Sequence, residues 1–160
     1  MSMVCCLRAV DECQINSLLC EPKSIFALLE REDNEDVDLD KAWHGIHFLL
    51  TGSAWEGQEP LCYLVKGGEQ VGNVVVGYEP ARVLRPEQVR NWSKALSVVS
   101  VEELHRRYSW PAMAKEKIYA VSPQEPEEEF LDYLTECYGV LRSFVEQTSI
   151  QRKGAIVYLA

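Results

Sequence analysis

Apolar and polar positions along the 160-residue chain alternate between two periods, one fitting strands and one fitting helices. Residues 4–10, rich in small and β-branched apolar side chains, predict an opening strand. After Asp11 the residues Ile15, Leu18 and Leu19 fall at helical spacing; Pro22 interrupts the run, and residues 24–30 resume it. The acidic stretch to Asp38 reads as a surface loop. Over residues 39–50 the chain predicts a helix with Leu39, Trp43, Ile46, His47 and Leu50 on one face. Asp38 serves as its N-cap, Asp40 sits at the positive end of its dipole, and Thr51-Gly52 supplies the stop. Phe48 and Leu49 point elsewhere, so the last two turns are apolar nearly all round, the pattern of a buried helix. Gly45 in its interior costs about 1 kcal/mol relative to alanine, which implies close approach of another backbone or of a ligand.

Further along, residues 61–65 form an apolar run that predicts a short helix. Gly67-Gly68 leads to one or two strands over residues 74–84, around a turn at residues 77–80. Pro86 opens a helix to about residue 96. Ser100 with Glu103 makes a capping box for the next, which ends near Tyr108. Pro111 starts a short helix to about residue 118. Pro123 and Pro126 bound a loop before the acidic turn at residues 127–129, which opens a long helix to about residue 147. Residues 155–159 close the chain as a strand. No repeat of 20–50 residues is visible. Few strands among many helices predict one helix-rich α/β domain over residues 1–160. In it a small mixed β-sheet is covered by helices in a three-layer α/β/α arrangement.

With 47% hydrophobic and 26% charged residues the composition is that of an ordinary globular chain. The six cysteines form no C-x-x-C and no regular spacing, and read as reduced structural thiols. Met1-Ser2-Met3-Val4 lacks the basic start and long apolar run of a signal peptide. No stretch approaches the roughly 18 apolar residues of a membrane span, so the expected location is the cytoplasm, with no membrane partner. The net charge of −9 is uneven. Residues 30–40 and 125–136 hold 13 of the 25 acids with only Arg31 as a base, while residues 81–120 carry eight bases against four acids. Such a dipolar surface steers charged partners, or simply solvates helix faces. Overall acidity opposes the phosphate attraction on which nucleic-acid binding depends, so no nucleic-acid partner is expected.

Candidate chemistry concentrates around the apolar helix. His44 and His47 lie three residues apart and meet on one flank. Zinc needs about three or four ligands, and the third histidine, His105, belongs to a charged helix, so no metal site is expected. A neutral His47 within apolar surroundings has a lowered pKa and suits proton acceptance, given a substrate proton within reach. Arg82 is an isolated charge in an apolar strand and must be paired; it either clamps a carboxylate or phosphate, or bridges to an acid within the fold. Tyr78 and Tyr119 offer aromatic bodies with hydroxyl handles. Trp43 reads as core, and Trp55, on a loop beside Gly57, as a cover for a pocket. Together with Thr51 these residues, Trp43, His44, His47, Thr51, Trp55, Tyr78, Arg82 and Tyr119, form a candidate binding cleft. Phosphate-loop, dinucleotide, nucleophile-elbow and H-E-x-x-H motifs are all missing, so no cofactor is expected.

The string from Asp40 to Gly52, DKAWHGIHFLLTG, resembles a signature of the YfbM-like family of uncharacterised bacterial proteins. Gly77-Tyr78-Glu79-Pro80-Ala81-Arg82, then Leu84, Pro86 and Ile118-Tyr119, look like the family's further landmarks. Ala120 stands where members often have proline. The resemblance spans nearly the whole chain and implies a compact domain with a sheet between helices, without an assigned activity. The resulting expectation is an uncharacterised, non-catalytic interaction or ligand-binding domain, taking a protein partner or a small anionic ligand. The alternative is a small-molecule hydrolase or transferase with His47 or His44 as base and Arg82 as anion clamp. A third is a metal-binding protein through His44 and His47. No oligomeric state is specified.

Overall fold

Along strand β1 (Cys5–Val10), buried Cys5, Leu7 and Ala9 alternate with half-buried Cys6 and buried Arg8 and Val10, so the strand is covered on both sides. The computed structural model describes residues 2–31, 36–119, 121 and 126–160. After β1 come α1 (Glu12–Cys20), α2 (Ile25–Leu29), β2 (Asp36–Asp38) and α3 (Trp43–Thr51). The hairpin β3 (Glu69–Val76) and β4 (Glu79–Leu84) follows, then α4 (Pro86–Ser97), α5 (Val101–Arg107), α6 (Trp110–Lys115), α7 (Glu127–Ile150) and β5 (Gly154–Leu159).

The strands make one sheet in the order β2-β1-β5-β4-β3. The α/β class and its helical cover are as expected, but every pairing described is antiparallel, so the sheet is not mixed in direction. Central β5 pairs with β1 from Cys5↔Leu159 to Val10↔Gly154 and with β4 from Arg82↔Val157 to Leu84↔Ala155. The period-two alternation then sorts side chains into two cores. Leu7, Ala9, Leu84, Ala155 and Val157 face α3, α4 and α7, whereas Val10, Val83, Ala81 and Ile156 face Ile15, Leu18, Ile25 and Leu28 of α1 and α2. The sheet is the middle of three layers.

Several local expectations change. The acidic stretch expected as a loop ends in the edge strand β2, where Arg8 of β1 pairs with Asp36 and also donates to the Leu28 carbonyl. The helix expected from residue 39 begins as a tight turn at Asp40–Ala42, and α3 proper starts at Trp43. Asp38 does not cap the helix: Ala42 precedes α3 without a side-chain cap, and Asp38 instead accepts the Asp40 amide at 2.6 Å in a local turn. Gly52, at φ 77°, ends α3 in the left-handed cap that glycine adopts freely. Residues 61–65 are successive turns rather than a helix. Pro80 lies inside β4, opposite Val75, and the hairpin turn narrows to Gly77-Tyr78. The helix expected to about residue 118 ends at Lys115, and α7 runs on to Ile150. Ala120 and Pro123 lie outside the described residues.

Candidate functional site

α3 is held at both ends and along its length by the rest of the protein. At its start the Tyr133 hydroxyl of α7 donates to Asp40 Oδ2 at 2.6 Å and accepts the Lys41 amide at 3.0 Å. In its middle, Gly45 lets α7 come close: a Cβ there would stand 2.7 Å from Leu134 Cδ2 and 3.1 Å from Leu134 Cδ1. The neighbour at this glycine is thus a leucine side chain of α7, and not the backbone or ligand that the sequence led us to expect.

His44 is bonded at both ring nitrogens. Nε2–H donates to the Ala54 carbonyl at 2.8 Å, and Nδ1 accepts the Tyr119 amide at 2.8 Å, which fixes the neutral tautomer. Its ring lies between Trp43, stacked at 5.0 Å between centroids, and Trp55 at 4.3 Å. Burial pulls its pKa down. His47 is 0% exposed. Its Nε2–H donates to the Glu56 carbonyl at 2.9 Å, with Thr51 Oγ1 3.3 Å away, and Thr51 in turn donates to the His47 carbonyl at 2.9 Å. Burial first, then the neighbouring His44 ring and the positive groups of Lys66 and Arg82, bring the His47 pKa down to about 4 against the opposing hydrogen bond to Glu56. Its Nδ1 has no hydrogen-bond partner among the described residues.

The remaining candidates divide. Trp43 Nε1–H donates to the Met3 carbonyl at 3.0 Å, the Met3 amide donates to the Tyr119 hydroxyl at 2.9 Å, and Tyr78 donates to the Ser2 carbonyl at 3.4 Å. These three rings hold the segment that leads into β1. Trp55 is 54% exposed and lids His44. Arg82 turns away from the imidazoles' own hydrogen bonds: its guanidinium donates to the carbonyls of Gly67 (2.9 Å), Tyr63 (2.9 Å) and Leu64 (3.0 Å). Burial lowers its pKa. Trp43, His44, Trp55 and Tyr119 are therefore brought together, with His47 and Thr51 one turn along α3, while Tyr78 and Arg82 serve other contacts. Among the described residues no group of three or more His, Cys, Asp or Glu is placed to hold a metal ion.

Sequence reasoning missed a second feature. A groove of about 680 Å³ runs along the opposite flank of α7, with Ala9 and Val37 of the sheet as its floor and Glu136, Gly139, Val140 and Phe144 along its wall. Val140 is 41% exposed. A Cβ at Gly139 would meet nothing within 4 Å, although this glycine sits in the middle of a 24-residue helix. Its one trace in the sequence is a glycine inside a helical pattern, which does not show which flank is left uncovered.

A family description, "Domain of unknown function (DUF1877)", matches residues 1–158. The chain belongs to the DUF1877 family. A solved structure, a protein of unknown function, YfbM from Escherichia coli, has the same fold, with a TM-score of 0.77 over 98% of this chain and 99% of that one. The two are 20% identical, so the likeness speaks for the fold alone. Among curated proteins none matches. The YfbM-like resemblance carried by residues 40–52 and 77–86 is accordingly that of DUF1877 as a whole. Within this DUF1877 chain, residues 40–52 are the segment that ties α7, the leading segment of β1 and the 53–57 loop to one helix. No helix among the described residues is long and apolar enough to cross a membrane.

Proposed function

We propose that this DUF1877 chain is a cytoplasmic, non-catalytic interaction domain. The observation that carries the reading is the inward engagement of the groups that would do chemistry. His44 has both nitrogens bonded to backbone, His47 is fully buried, and Arg82 is bound to three carbonyls of the 63–67 segment. A general base needs its substrate proton within hydrogen-bond reach, and a sealed imidazole offers no such approach. An imidazole with a pKa near 4 is also a weak base at neutral pH. All six cysteines are free, and burial pushes Cys5 up to about 12 and Cys6 to about 11, which makes these two packed thiols and not reactive ones.

The hydrolase or transferase alternative rests on one observation, the unpartnered Nδ1 of His47. Comparing wild type with His47→Gln on p-nitrophenyl acetate and p-nitrophenyl phosphate separates the two. Circular dichroism melts first establish that the variant is folded. The interaction reading expects identical background rates. A rate that falls with His47→Gln in folded protein would establish the enzyme instead.

A further inference from the structure

Resting on the interaction-domain reading, we infer that the α7 groove docks a basic amphipathic helix of a partner protein. Three observations converge on it. The groove has an apolar floor (Ala9 and Val37) beneath a flank of α7 that repeats every three or four residues from Glu136 to Gln147 and adds Phe144 to the apolar lining. Over that span α7 rises about 17 Å, roughly three turns of a docked helix, at 1.5 Å per residue. A helix seated there would lie ridge against groove along α7, and its closest approach falls where the small side chains are, at Gly139 and Ser143.

Gly139 supplies the second observation. Helix interiors disfavour glycine unless something must come near the backbone. Gly45 has such a neighbour inside the protein and Gly139 has none, and Gly139 opens onto the groove.

The third is charge. Glu136 stands at one end of the groove. After burial, the carboxylates of Asp40, Glu136 and Asp38 push the adjacent Cys137 thiol up to about 11, so one acid each from α7, β2 and the turn after β2 lies near this end of the groove. Exposed Glu129 and Asp132 extend the same flank of α7 at helical spacing. Gln147 and Gln151 make the other end neutral. An acidic mouth on an apolar trough selects a partner with a greasy stripe and lysines or arginines at one end, and repels phosphate-bearing ligands.

The test uses a fluorescein-labelled Lys/Leu peptide of about four helical turns. Its two comparators are a Glu/Leu peptide of the same pattern and a Lys/Leu peptide scrambled to abolish the apolar stripe. Anisotropy should give saturable, micromolar binding for the first peptide only, weakening several-fold between low and high salt as screening sets in. Gly139→Leu puts a branched side chain at the groove from a position where a Cβ meets no atom within 4 Å. It should reduce affinity at least tenfold while leaving the melting temperature equal or higher. Glu136→Lys should weaken binding several-fold and flatten its salt dependence. Equal binding of the Glu/Leu peptide, affinity unchanged by Gly139→Leu, or no saturable binding would overturn the groove. So would amide shifts in a nitrogen-15 titration that map to another surface, an outcome that leaves the interaction-domain reading intact. That reading falls only on His47-dependent turnover, a separate readout.

Discussion

Gly45 of α3 and Gly139 of α7 both stand mid-helix, where alanine is better by about 1 kcal/mol. Around Gly45 the space is filled by both Leu134 methyls and Met113 Cε, the last 3.4 Å from where a Cβ would be. Around Gly139 it is empty and opens to solvent. The same residue type in the same kind of element thus marks internal packing in one helix and an unfilled surface in the other. The polar groups follow suit. On α3 the imidazoles bond inward to Ala54, Tyr119 and Glu56; on the α7 flank, Glu136 and the neighbouring acids face outward. Residue chemistry alone would place function at the histidines. Packing places the free surface on the other helix.

If α3 belongs to the core, its variants should be costly. Trp43 is 1% exposed, stacks on His44 and Tyr119, and bonds Met3. Trp43→Ala should lower stability by about 4 kcal/mol, measured by urea unfolding. A loss below about 1 kcal/mol would show that the aromatic cluster is not core.

Acid should act through the same helix. His47 has its pKa lowered to about 4 in the folded protein, against about 6.5 unfolded. Between those values the unfolded chain binds a proton that the folded chain does not, so stability falls as pH drops from about 7 towards 4 and levels off below. The full span corresponds to roughly 3 kcal/mol, with His44, also lowered, acting in the same direction. In His47→Gln the slope of unfolding free energy between about pH 7 and 5 should become shallower. An unchanged slope would mean that the imidazole is hydrated in the folded state.

A double-mutant cycle sharpens the contrast further. Gly45→Ala should be unfavourable because overpacking, about 1–3 kcal/mol, exceeds the helix gain of about 1. In a Leu134→Ala background the same substitution should become neutral or favourable, a coupling of about 1–2 kcal/mol read from the four unfolding curves. Additivity would deny the contact between Gly45 and Leu134.

Much of this architecture could be read from residue pattern. The face Leu39, Trp43, Ile46, His47 and Leu50 is buried as its spacing implied, and Gly52, Pro86 and Ser100 punctuate helices where their chemistry placed them. What escaped depends on distant partners. β2 contains one apolar residue, Val37, and exists through its pairing with β1 and the Arg8–Asp36 ion pair. The apolar run at 61–65 turns rather than coils, and its neighbourhood offers carbonyls to Arg82 from across the fold. Arg82 read as a charge seeking an anion because backbone acceptors leave no trace in sequence. The α7 groove was hidden for a related reason: a helical period shows which residues could line a flank, and only tertiary packing shows which flank is left uncovered.

The most direct measurement is the sign of two single-methyl additions, Gly45→Ala and Gly139→Ala, in parallel urea titrations. The midpoint should fall for Gly45→Ala and rise for Gly139→Ala, the latter by about 0.5–1 kcal/mol of stability. A fall at Gly139 would mean that the α7 flank is already packed, and a rise at both positions would mean that α3 is not; either result contradicts the division drawn between the two helices.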